Sequence, residues 1–239
     1  VAQHLTAHGY RVLVGDLRGH GESAGERGYV ERFVNYVDDL DALRQSLEKS
    51  ASKTGTPLST VVLGHSMGGL VALAYLLARP SPAAVALSAP FLGIKLKVPG
   101  WKRSLGLLAS MLHPTLKLPN EIPATAVSHD PEVVRLYETD PLITHNATAR
   151  WFTETVSTQD DVMMRANRIK TPLLMQVAGA DQIVDAAAAE KVFELLGSSE
   201  KTKLRYDSLY HEIFNEREPD RQKVLDDLTS WLDARFPAR

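Results

Sequence analysis

Residues 64–68 read Gly-His-Ser-Met-Gly and stand where two apolar runs meet. The run before, 59–64 (STVVLG), is rich in β-branched residues and reads as a buried strand. The run after, 69–80 (GLVALAYLLARP), is apolar nearly all round and reads as a buried helix stopped before Pro80. A G-x-S-x-G pattern at a strand-to-helix join lifts a hydroxyl above a sheet, and side chains on the flanking residues would crowd it. Ser66 Oγ would then sit at a helix N-terminus, whose dipole favours developing negative charge. The N–H of Met67 would point into an oxyanion hole.

A serine hydroxyl is a poor nucleophile without a base, and the base needs a carboxylate to orient it. In elbows of this kind the acid and the histidine follow the serine in that order. Ala178-Gly179-Ala180-Asp181 directly follows a strand expected over 172–179. Carboxylates at the carboxyl ends of parallel strands lie where ligands bind. Asp181 is the expected acid, and Asp185, four residues on, is the alternative. His211, in Tyr210-His211-Glu212-Ile213-Phe214, is the only histidine after Asp181 and follows the last expected strand, 203–210. Ser66, Asp181 and His211 thus form the expected catalytic set. His65 occupies a variable slot of the elbow, and His4 and His8 fall on an opening helix. His113, His129 and His145 suit surface or capping roles. No pair of histidines has metal-ligand spacing, so neither metal nor other cofactor is expected.

The elements that must position these residues alternate. A helix ends at Gly9, and RVLVGDL (11–17) reads as a strand, followed by a glycine-rich loop over 18–29. Apolar steps of three and four predict an amphipathic helix over 30–51, ended by Gly55-Thr56-Pro57. AAVALSAP (83–90) is the next strand. The following one, PLLMQVAG (172–179), comes about 80 residues later, too far for an unstructured loop. Residues 95–168 therefore read as an insertion, with an amphipathic helix over 101–118 and another over 131–138, opened by Asp130 and Pro131. A helix over 186–197 ends at Gly197. A C-terminal helix over 219–236 carries Leu225, Leu228, Trp231 and Leu232 on one face. This order predicts an α/β architecture, a mostly parallel doubly wound sheet, with residues 1–94 and 169–239 as core and 95–168 inserted.

Composition narrows the function classes. The 239 residues are 44% apolar and 23% charged, which suits a globular chain. A net charge of −2 without a basic block argues against a nucleic-acid partner. The absence of cysteine excludes disulfides, zinc–thiolate sites and a cysteine nucleophile. No apolar run approaches the roughly 20 residues of a membrane span, and no signal peptide is visible, so the expected compartment is the cytoplasm.

With these residues in hand, the chain resembles the α/β-hydrolase family, and within it the monoacylglycerol lipase and lysophospholipase branch. The resemblance rests on G-D-L-R-G-H-G-E-S (15–23) with G-E-R-G (25–28), on G-H-S-M-G-G (64–69), on H-E-I-F-N-E (211–216), and on Asp140-Pro141-Leu142 in the insertion. It implies a serine esterase acting on a small lipid-like monoester through an acyl-enzyme, and a helical cap or lid over 95–168 with transient membrane-surface contact. Leu105, Leu107, Leu108, Met111 and Leu112 are candidates for a lipid-facing helix or simply for cap core. Acyl transfer and S33-type peptidase chemistry use the same triad. A catalytically inactive hydrolase fold used for binding is the rival from another class. The elbow serine, where epoxide hydrolases and dehalogenases carry aspartate, argues against those two.

One departure from the family pattern stands out. The H-G-x-G-type loop that supplies a second oxyanion donor is not found, because RGHG at 18–21 follows the wrong strand. By resemblance the chain begins inside the first helix of the fold, and the three strands before it are expected to be absent. A gap is then expected in mid-sheet, between 11–17 and 59–64, with stranded backbone donors and acceptors. The 239 residues are expected to be an N-terminally short form, weakly active or unable to fold alone.

Overall fold

The computed structural model describes residues 1–52, 58–95 and 100–237. In chain order the elements are α1 (Ala2–Ala7), α2 (Val34–Ser52), β1 (Val61–His65), α3 (Met67–Ala78) and β2 (Ala84–Ser88). The long excursion then contains α4 (Gly100–Leu112), β3 (Lys117–Pro119), α5 (Pro131–Thr139), β4 (Asn146–Thr148) and α6 (Ala149–Arg165). The chain returns through β5 (Leu173–Ala178), α7 (Ala186–Leu195), β6 (Lys201–Tyr206) and α8 (Asp220–Asp233).

Four parallel strands form the central sheet in the order β1-β2-β5-β6. Side chains alternate across it with the period of two that a strand imposes. Val62, Val85, Leu87, Leu173, Met175 and Val177 face one way, into a core shared with α2, α3, α6 and α7. Ala84, Ala86, Leu174 and Ala178 face the other way, onto α8 and Leu5 of α1. Because both faces are covered, β2 and β5 are buried at every position, which is why they read as unbroken apolar runs. Helix α3 is apolar all round for the same reason. It lies between β1, α2 and α6, with Leu70, Val71, Leu73 and Tyr75 buried.

Two expectations fail. Residues 11–17 form no strand. Alternating apolar residues make a strand only when a neighbour pairs with the backbone. Here β1 is the edge of the sheet, and a cleft of about 920 Å³ separates it from this segment. Tyr10, Val12, Val14, Val61, Leu63 and Gly68 line that cleft, and Val14 is left 74% exposed. The gap expected between 11–17 and the elbow strand is therefore present. The amphipathic helix expected over 101–118 stops at Leu112, and Lys117–Pro119 pairs antiparallel with Asn146–Thr148 instead.

The excursion is anchored at several points. Asp130 caps α5 as expected, its side chain accepting from Glu132 N at 2.9 Å, with Pro131 at the first position. Thr148 N and Oγ1 both donate to Gly28 O, at 2.9 Å each, joining β4 to the glycine-rich loop. Helix α6 packs against α3 and buries Val162 there. Residues 55–57, expected to end the first long helix, lie outside the described residues, as does the side chain of Leu105.

Candidate active site

Ser66 is the joint between β1 and α3, with φ 50° and ψ −117°. A serine at positive φ is strained, and such a residue persists only where its surroundings hold it. Ser66 N donates to Ser88 O at 2.9 Å, while Ser66 O accepts from Gly69 N and Phe91 N, both at 2.9 Å. Phe91 is itself fixed by Gln159 of α6, whose Nε2 donates to Phe91 O at 2.9 Å. The backbone of the serine is thus gripped from β2, from its own helix and, at one remove, from α6.

Steric demand at the elbow is uneven. A Cβ on Gly64 would lie 2.4 Å from Gly68 O, and one on Gly69 would lie 2.7 Å from Pro90 Cβ. Neither position has room for a side chain. Gly68, the second glycine of the motif, has nothing within 4 Å of such an atom, because it faces the cleft beside β1. Met67, as the first residue of α3, carries an N–H that the helix itself cannot use.

The loop after β5 turns sharply at Gly179, where a Cβ would meet Asp207 Cα at 2.5 Å. This close approach brings Asp181 beside the loop after β6. Asp181 Oδ1 accepts from Ile183 N at 2.8 Å and Val184 N at 2.9 Å, and Oδ2 accepts from His211 Nδ1 at 2.7 Å. A carboxylate only accepts, so Nδ1 carries the proton and Nε2 is free to accept. His211 Nε2 lies 2.9 Å from Ser66 Oγ. Asp181 is 2% exposed and His211 5%, so the chain of bonds runs through a nearly dry region where each is strengthened. Asp185, the alternative acid, is placed elsewhere. It caps α7, accepting from Ala187 N at 2.9 Å.

Three neighbours escaped the reading of the sequence. His65 is not idle: its Nε2 donates to Glu212 Oε1 at 3.1 Å, and its Nδ1 lies 3.0 Å from Ser88 Oγ. The His65 and His211 rings are 4.9 Å apart. Burial pulls His65 down, but the facing Glu212 carboxylate outweighs it and raises the imidazole above its ordinary value. Burial would raise Glu212, but His65 reverses this and brings its carboxyl down to about 2. Glu216 is 1% exposed and is the other surprise. Its Oε1 accepts from Tyr210 N at 2.8 Å and His129 Nδ1 at 2.9 Å, and its Oε2 accepts from His129 N at 3.0 Å. His129 is exposed, as expected, and also stacks on Tyr210 with 3.6 Å between ring centroids. Glu212 N donates to Val127 O at 2.8 Å. The loop carrying His211 is therefore fastened to residues 127–129 of the excursion. The signal for this lay in H-E-I-F-N-E, whose two glutamates are these two carboxylates.

The serine aminopeptidase S33 family matches residues 1–218. Phospholipase YtpA of Bacillus subtilis is 32% identical over 231 residues, covering 94% of this chain and 85% of that protein. The monoacylglycerol lipase of Mycolicibacterium smegmatis is 32% identical over 234 residues, covering 97% of this chain and 81% of its own length. Among solved structures, the monoacylglycerol lipase of Paleococcus ferrophilus superposes with a TM-score of 0.82 at 27% identity, covering 92% of this chain and 82% of that one. Fold, family match and relatives agree, and the chain is an α/β-hydrolase enzyme that belongs to the serine aminopeptidase S33 family.

Proposed function

We propose that the protein is a serine carboxylic-ester hydrolase acting on lipid-like monoesters, monoacylglycerols or lysophospholipids, through an acyl-enzyme on Ser66. The observation that carries this reading is the unbroken hydrogen-bond chain Asp181–His211–Ser66. Ser66 Oγ attacks the acyl carbonyl while His211 Nε2 takes its proton, and Asp181 holds the tautomer and stabilises the imidazolium. The oxyanion is met by Met67 N–H at the start of α3. His211 then returns the proton to the leaving alcohol. Water, deprotonated by the same nitrogen, attacks the acyl carbon and frees the acid and Ser66 Oγ. The lipid substrate class is supported by the relatives named as a phospholipase and a monoacylglycerol lipase.

The reading is tested with p-nitrophenyl esters and monoacylglycerols of graded acyl length, and with a fluorophosphonate probe. Saturable turnover with a preferred chain length and labelling of Ser66 are expected. A folded protein that neither labels nor turns over any ester sinks it and favours a binding role. The family description keeps one second reading in view, an aminopeptidase. Turnover of aminoacyl p-nitroanilides in place of esters would establish it.

Residues 95–168 act, in this proposal, as a cap that meets lipid. Leu107, Leu108, Met111 and Leu112 share one side of α4 and are all exposed, Met111 by 75%, with Leu116 and Leu118 exposed beyond them. A contiguous exposed apolar face of this kind suits a lipid surface. The protein is expected to sediment with phosphatidylcholine vesicles, and Met111→Glu is expected to weaken that association. Equal sedimentation of the two would overturn it. No helix among the described residues is long and apolar enough to cross a membrane.

A further inference from the structure

Ser66 and His211 are each followed or preceded by a residue of one further pair. His65 stands before the serine and Glu212 after the histidine, and the two join at 3.1 Å. Resting on the reading of Ser66 as nucleophile and His211 as base, we propose that His65 and Glu212 are positioning residues: they clamp the base loop to the elbow and place a balanced charge pair beside the His211 ring.

Two physical arguments carry this. In the sheet β1 and β6 are separated by β2 and β5, so the elbow and the loop after β6 have no direct backbone ladder between them. The bond from Ser66 Oγ to His211 bridges them, but acylation removes that proton and the bond with it. The His65–Glu212 bond spans the same gap and involves neither reacting atom, so it persists through the acyl-enzyme. Each partner has a second support. Asn215 Nδ2 donates to Glu212 Oε2 at 2.9 Å, and Glu212 N is tied to Val127 O at 2.8 Å. Ser88 Oγ serves both states of His65, donating to a neutral Nδ1 and accepting from a protonated one.

The second argument is electrostatic. The rings of His65 and His211 are 4.9 Å apart, close enough for a charge on one to oppose a charge on the other. The facing Glu212 carboxylate favours the charged form of His65 and balances that charge. The charged and titratable groups around the pair are Asp181 after β5, His211 after β6 and Tyr137 of α5. The Tyr137 phenol is pushed up, mainly by burial and in part by Glu212, so it is neutral at working pH. Beyond Asp181 and the clamp, the charged groups near His211 are Lys95, whose Nζ donates to Asp181 O, and Glu216, which accepts from Tyr210 N and from His129 Nδ1.

His65→Gln and Glu212→Gln separate this from a merely structural role. In His65→Gln the carboxylate of Glu212 stands unpaired beside His211 and favours its imidazolium. The acidic limb of kcat/KM is expected to move up by about one pH unit. In Glu212→Gln, a charge on His65 is no longer balanced and opposes a charge on His211, so the limb is expected to move down. Plateau kcat is expected to fall roughly tenfold in both, from looser positioning. The His211 ring titration, followed by proton NMR in the same proteins, reads the two opposite shifts without requiring turnover. Limbs and titrations that stay fixed, or move in the same direction, overturn the proposal. If one variant does not fold, the direction of the other decides. Failure of the wild-type protein to hydrolyse any ester sinks the esterase reading alone, because the NMR titration still judges the clamp.

Discussion

Ser66→Ala is expected to lower kcat for ester hydrolysis by about 10⁶, with little change in KM. The size follows from the proposed mechanism, in which one atom both attacks and carries the acyl group. Removing Oγ leaves His211 and Asp181 with no nucleophile to activate, and only the oxyanion donor and substrate binding still act. The fold is not at risk, because the strained φ of 50° is held by backbone bonds to Ser88, Gly69 and Phe91 that alanine keeps. A thermal melt within a few degrees of the parent, with fluorophosphonate labelling abolished, is the expected companion result. Turnover within about tenfold of the parent would mean that another group attacks the ester.

Asp181→Asn is expected to cost about 10⁴ in kcat at neutral pH. The loop around Asp181 explains why an isosteric change is so damaging. Ile183 N and Val184 N both donate to Oδ1, so the asparagine carbonyl is held in that position. Its NH₂ is then turned toward His211 Nδ1, which must accept instead of donate. The ring proton moves to Nε2, the nitrogen 2.9 Å from Ser66 Oγ, and the base is lost through the wrong tautomer. Asp185→Ala is the control. It removes the cap of α7, which costs about 1 kcal/mol of stability, and leaves kcat near the parent value. A large kcat loss in Asp185→Ala with little in Asp181→Asn would reverse the assignment.

The order of strands and helices, the elbow and the convergence of Ser66, Asp181 and His211 were legible in the sequence because each rests on local pattern plus chain order. What was not legible depended on partners far away in the chain. Residues 11–17 have the alternation of a strand, but pairing decides whether a strand forms, and the space beside β1 is a cleft. The apolar periodicity of 101–118 continues past Leu112, yet Lys117–Pro119 is claimed by Asn146–Thr148, about 30 residues on. The demand for glycine moved too. Gly64 and Gly69 are held to it by Gly68 O and Pro90, whereas Gly68 has open space. His65 read as a filler of the elbow because its partner, Glu212, is 147 residues away.

The fastening of residues 127–129 to the histidine loop divides the excursion into two territories with different freedom to diverge. If the excursion is the proposed cap, substitutions around α4 and β3, which touch no bond to His211, can accumulate and retune which substrates are admitted. Substitutions at Ser128 or His129 act on Glu216, and a shift of the Val127 carbonyl acts on Glu212, so on the proposed mechanism each reaches the loop that carries His211. A lineage exploring new substrates by this fold would therefore change its α4 side first and keep its 127–129 corner, the part that belongs by sequence to the excursion and by bonding to the catalytic loop.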